Sequence, residues 1–172
     1  MHVLVATDGQ LDPDTASSFV TRLAGSDGAA TVMTVVEVPR AFLHEMRQEW
    51  GAAPTPGVIA DDEYVETPAV PPEAPFGWPG DDALIGRYLH DKREERTGPL
   101  VDALKAAGIE SECVVVEAEN VSGTVIAEAK EREADVIVIG SHGQGVFSGL
   151  LGSTGTKLVR RSPIPVLLIR QG

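Results

Sequence analysis

Apolar residues along this chain alternate between short unbroken runs and longer stretches with helical spacing. Val3 to Ala6 is one such run, stopped by Thr7-Asp8-Gly9; a short apolar run bounded by turn formers predicts a strand buried on both faces. Asp12-Pro13 follows, a capping side chain and then a proline whose fixed φ suits the first helical position. Ala16, Phe19, Val20, Leu23 and Ala24 recur at helical spacing as one apolar stripe that ends at Gly25. Thr31 to Val36 is the second strand. A helical pattern starts at Asp81-Asp82, runs through Leu84, Tyr88 and Leu89, breaks at Gly98-Pro99 and resumes through Leu100, Leu104 and Ala107, giving one long kinked helix or two. Cys113 to Val116 is the third strand, Asn120 or Ser122 caps a helix through Val125, Ile126 and Ala129, and Val136 to Ile139 is the fourth strand. A last helix through Leu158 and Val159 ends near Ser162-Pro163, and Pro165 to Ile169 is the final strand.

Strands and helices thus alternate from end to end, and the strands are apolar on both sides. That combination predicts an α/β fold: a three-layer open sandwich with a parallel sheet, because right-handed crossovers cover both faces with helices. Ligands of such sheets bind at the carboxyl ends of the strands. Here those ends carry Thr7-Asp8-Gly9, Val35 to Val38, and Gly140 onward. One segment departs from the pattern. Residues 39–80 hold eight prolines, both tryptophans and the acidic cluster Asp61-Asp62-Glu63. They read as an insertion, with a short helix around Ala41 to Trp50, inside a single domain spanning 1–172.

Charge narrows the function classes. Twenty-six acidic against fourteen basic residues give a net charge of −12, which opposes the phosphate contacts needed for nucleic acid or an anionic membrane. No apolar run approaches a membrane-spanning length. Met1 to Thr7 reads as a first strand and not as a signal peptide, so a cytoplasmic location is expected. Only four of the basic residues are lysine, and this acidic, lysine-poor surface suits a salt-adapted, halophilic cytoplasm. Cys113 is the single cysteine; no intrachain disulfide can form, and a buried strand thiol is expected.

The segment Gly140-Ser141-His142-Gly143, followed after eight residues by Gly152-Ser153, links a buried strand to a helix. Glycines let backbone approach an anion, and amides at a helix start, with hydroxyls such as Ser153 and Thr154, can bind phosphate oxygens. The same residues would equally make a plain turn with a helix cap. Two rival motifs fail. Gly152-Ser153-Thr154-Gly155-Thr156-Lys157 lacks the glycine before lysine and the hydroxyl after it that a P-loop requires. Gly143, Gly145 and Gly149 suggest a dinucleotide loop, but they follow the fourth strand and no later strand ends in a ribose-binding acid. His142 has no partner at metal or triad spacing and is expected to line the loop. No catalytic residue is assigned.

The stretch GSHGQGVFSGLLGSTGTKLVRRSPIPVLLIR and the opening VLVATDG resemble the universal stress protein family, in whose ATP-binding members the loop reads G-x2-G-x9-G-S/T. Eight residues here separate Gly143 from Gly152 where the common pattern has nine. The resemblance implies a five-stranded parallel sheet with the flavodoxin-like, adenine nucleotide α-hydrolase-like strand order 3-2-1-4-5. It implies ATP as the ligand, with an accompanying Mg or Mn ion left open. Adenosine would lie near Ala6, Thr7, Asp8 and Val35, with the phosphates on Gly140, Gly143, Gly152, Ser153 and Thr154 and with His142 lining the loop. A homodimer through the last strand and a regulatory role toward a protein partner follow from the same likeness. The alternatives are a slow ATPase, an adenylyl or phosphoryl transferase using the same pocket, or a stress protein that binds no nucleotide.

Overall fold

The computed structural model describes residues 1–25, 27–51, 79–141 and 152–170. The chain divides into two units, Met1–Glu37 with Tyr88–Gly172, and Val38–Arg87. The first unit carries the strands β1 (His2–Ala6), β2 (Ala29–Val36), β3 (Glu110–Glu117), β4 (Val136–Ser141) and β5 (Val166–Arg170). Its helices are α1 (Pro13–Ala24), α4 (Val121–Glu131) and α5 (Ser153–Arg161), and it takes most of α3 (Asp81–Ala106). In the second unit, α2 (Arg40–Gly51) is the helix expected over Ala41 to Trp50, and most of the remaining insertion lies outside the described residues.

All strand pairs are parallel, and the order is β3-β2-β1-β4-β5, as expected. Strand period sorts side chains to two faces. On one face Val3, Val5, Val32, Val136 and Val138 pack with Ala16 and Val20 of α1 and with Leu100, Val101 and Leu104 of α3. On the other Leu4, Met33, Ile137 and Ile139 pack with Val125 and Ala129 of α4 and Leu158 of α5. These two cores are the physical content of the three layers. No helix among the described residues is long and apolar enough to cross a membrane.

Several local expectations change. A single helix, α3, runs through Gly98-Pro99 without interruption. Pro99 lacks an N–H and costs the Glu95 carbonyl its helical donor, but both residues are exposed, so water can take that place. Buried Thr97 donates its hydroxyl to the Arg93 carbonyl at 2.7 Å on the same turns. Asn120, not Ser122, caps α4, accepting from the Gly123 amide at 3.2 Å. Phe19 leaves the apolar stripe of α1: it is 40% exposed, with the Arg22 guanidinium 4.4 Å above its ring. Cys113 is half-buried, because β3 is an edge strand covered by one neighbour only.

Candidate functional site

At the carboxyl ends of the central strands, on the face covered by α4 and α5, the first unit encloses a cavity of about 330 Å³. That size is typical of a small-molecule pocket. Ala6, Thr7 and Asp8 enter it from the end of β1, Val35 from β2 and Gly140 from β4, while Gly152, Ser153 and Thr154 come from the start of α5. Every described residue singled out in the sequence is therefore brought to one place. His142 and Gly143 lie outside the described residues.

Sequence reading missed the apolar walls: Met33, Ile139, Val121, Val125 and Leu158. Met33 shares a strand face with Val35, so the period of two would have found it once that face was known. Val121 and Val125 are one helical turn apart, yet nothing local says that α4 meets this pocket.

Short hydrogen bonds shape the loop after β1. The Thr7 amide donates to the Met33 carbonyl at 2.9 Å, continuing the ladder one step past the strand. Thr7 Oγ1 accepts from the Gly9 amide at 3.0 Å, and Asp8 Oδ1 accepts from the Gln10 amide at 3.1 Å. These side-chain turns hold the loop against the cavity. Gly9 is required twice over. Its φ is +93°, and a Cβ there would stand 3.3 Å from the Arg96 backbone. Arg96 in turn directs Nη1 at the Val35 carbonyl, 3.4 Å away. No sequence signal marked Arg96, since α3 reaches the sheet edge only in three dimensions.

Helix starts differ in what they leave over. The α1 start is capped by Asp12, which accepts from the Thr15 amide at 2.8 Å, and the α4 start by Asn120. At α5 the cap is Gly152, which has no side-chain cap hydrogen bond. First-turn amides have no intrahelical acceptor, and the helix dipole adds about half a positive charge at that end. The α5 start, with the hydroxyls of Ser153 and Thr154, can therefore bind an anion entering the cavity. Asp8 is the one ionisable side chain among the described lining residues. No group of three or more His, Cys, Asp or Glu side chains suited to hold a metal ion exists among the described residues.

The family model described as the universal stress protein family matches residues 1–170. The chain belongs to the universal stress protein family. Universal stress protein G of Salmonella typhimurium is 44% identical over 41 residues, a match spanning 24% of this chain and 29% of that relative. Among solved structures, a universal stress protein family protein from Arabidopsis thaliana with AMP bound aligns with a TM-score of 0.53 at 14% identity, covering 100% of this chain and 92% of its own. The universal stress protein from Archaeoglobus fulgidus in complex with dAMP aligns with a TM-score of 0.51 at 19% identity, covering 98% of this chain and 97% of its own. For a universal stress protein, the five-stranded order and the cavity at the carboxyl edge are thus shared architecture.

Proposed function

We propose that this universal stress protein is an ATP-binding regulatory module of the cytoplasm, one domain over 1–172 with an insertion at 39–80. The observation that carries this reading is the convergence of Ala6, Thr7, Asp8, Val35, Gly140, Gly152, Ser153 and Thr154 on one cavity that the uncapped start of α5 faces. The adenosine lies against Asp8, Val35 and the apolar walls, and the phosphates lie on the α5 amides and hydroxyls. AMP and dAMP in the structures of two family members support an adenine ligand. Occupancy, not turnover, carries the signal, since the glycine loop provides phosphate donors but no evident base, and general-base catalysis needs a placed group with a suitable pKa. At most, hydrolysis is slow, far below the ~10 per second of a typical enzyme.

β5 lies at a sheet edge, with Val166, Leu167 and Leu168 half-buried. Apolar edges invite pairing, so we place a homodimer contact there; light scattering that finds only monomer in the folded salt range contradicts it. Calorimetry with ATP tests the site itself. Ser153→Ala removes one hydroxyl donor to a charged group and is expected to weaken ATP about tenfold or somewhat more. Unchanged affinity in a folded Ser153→Ala protein removes the phosphate assignment.

A further inference from the structure

We infer that the site sorts adenine nucleotides by charge, holding the monophosphate unaided and the triphosphate only when a divalent cation neutralises it. This rests on the nucleotide-binding reading above and adds the ligand's charge state. The argument starts from the donors. The described wall offers amides of the α5 first turn and two hydroxyls, all neutral, and no lysine or arginine. The glycine segment adds none: from Gly140 to Thr156 the sequence contains no Lys or Arg, and His142 is its sole basic residue. One carboxylate, Asp8, stands on the same wall, and the whole chain carries −12.

Three first-turn amides and two hydroxyls are enough for the oxygens of one phosphoryl group. A helix start supplies about half a positive charge, whereas a nucleoside monophosphate brings about −2 and each further phosphate about −1 more. Sites that hold a bare triphosphate chain commonly add a lysine to the loop. Two cations lie within view of this one, and neither takes that place. Arg96 is turned onto the Val35 carbonyl, and β2 is separated by β1 from β4, the strand that leads into the glycine segment. Two strand spacings, about 10 Å, therefore part Arg96 from the phosphate end. Lys157 lies in the second turn of α5, exposed, and is not part of the cavity wall. Since the described residues hold no cluster fit for a resident ion, the neutralising cation arrives with the triphosphate.

The test is calorimetry of the full chain at pH 8, where imidazoles are neutral, with AMP, ADP and ATP, each in EDTA and in excess Mg²⁺. In EDTA we expect affinity to fall with each added phosphate, ATP binding about tenfold more weakly than AMP, the order of effect that two extra charges near a like charge produce at a surface dielectric. Mg²⁺ is expected to restore ATP and leave AMP within about twofold. Lys157→Ala is expected to leave all three affinities in EDTA unchanged. ATP binding as tightly as AMP in EDTA overturns the inference and leaves the nucleotide site standing, as does a selective loss of ATP in Lys157→Ala, which would make that lysine the missing cation. Absence of binding by any of the three nucleotides in both buffers overturns the site reading itself, and this inference with it.

Discussion

The two ends of the sheet treat their polar groups in opposite ways. Toward the amino end, side chains satisfy one another. The His2 amide donates to Asp135 at 2.7 Å, its Nδ1 to the Arg132 carbonyl at 2.8 Å, and its Nε2 lies 2.9 Å from the hydroxyl of fully buried Thr31. Thr31 donates onward to Glu112 at 3.0 Å, and Arg132 pairs with both Glu112 and Glu128. Toward the carboxyl end, by contrast, a glycine cap leaves the first turn of α5 without a side-chain acceptor, beside a cavity. Buried polar groups must find partners. A protein that pairs them at one end and leaves donors at the other separates the part that holds the strands together from the part that takes a ligand.

Gly152→Val is expected to break this contrast most. Gly152 has a φ of −57°, and an added Cβ would meet nothing within 4 Å, so the fold should be unaffected. A bulky side chain at the mouth of the anion site keeps phosphate away from the amides, and the loss of charge-assisted hydrogen bonds should lower ATP affinity about hundredfold. Calorimetry beside a thermal melt reads both parts; a lowered melting temperature with intact binding would reverse the assignment of roles.

Thr31→Val probes the amino end. It removes the bridge between His2 and Glu112 inside the sheet, and a lost buried hydrogen bond costs roughly 1 to 1.5 kcal/mol. For a chain of this size that is a fall of about 3 °C in Tm or slightly more, with ATP affinity unaltered. Altered affinity at constant stability would mean that the two ends are coupled.

Asp12→Ala should have the smallest effect, and it sharpens the contrast between capped and uncapped helix starts. The Asp12 carboxyl is held below its ordinary value of 3.8 by hydrogen bonding to Thr15, side chain first and backbone second. An acid with a depressed folded-state pKa contributes stability above its unfolded pKa and loses it as the pH falls through the folded value. The variant should therefore be slightly less stable than the parent at pH 7, and the gap should close as the pH drops through and below about 3.8. Denaturant melts at the two pH values check this. A gap that widens in acid would show that the carboxylate is not the stabilising form.

Much of the fold was legible because its causes are local. Unbroken apolar runs marked all five strands. Asp12-Pro13 marked the start of α1, and Gly152-Ser153 marked the start of α5, since caps and proline geometry act within a few residues. Phe19 was misread for a related reason: helical spacing identifies a stripe but not its width, and Phe19 lies at the margin where Arg22 can cover it. Gly98-Pro99 was ambiguous because a proline's cost depends on whether water can serve the carbonyl it strands, a matter of exposure and not of spacing.

The sequence by itself determined the order of strands and helices, the parallel sheet and the glycine-capped helix start, all set by short-range sterics, hydrogen bonding and apolar period. Only the tertiary structure decided that α4 would bring Val121 and Val125 to the pocket, that Met33 and Ile139 would floor it, and that Arg96 of α3 would reach the Val35 carbonyl beside Gly9. Those contacts join segments far apart in the chain, and which segments meet depends on how both faces of the sheet are covered at once, a property that no local run of residues contains.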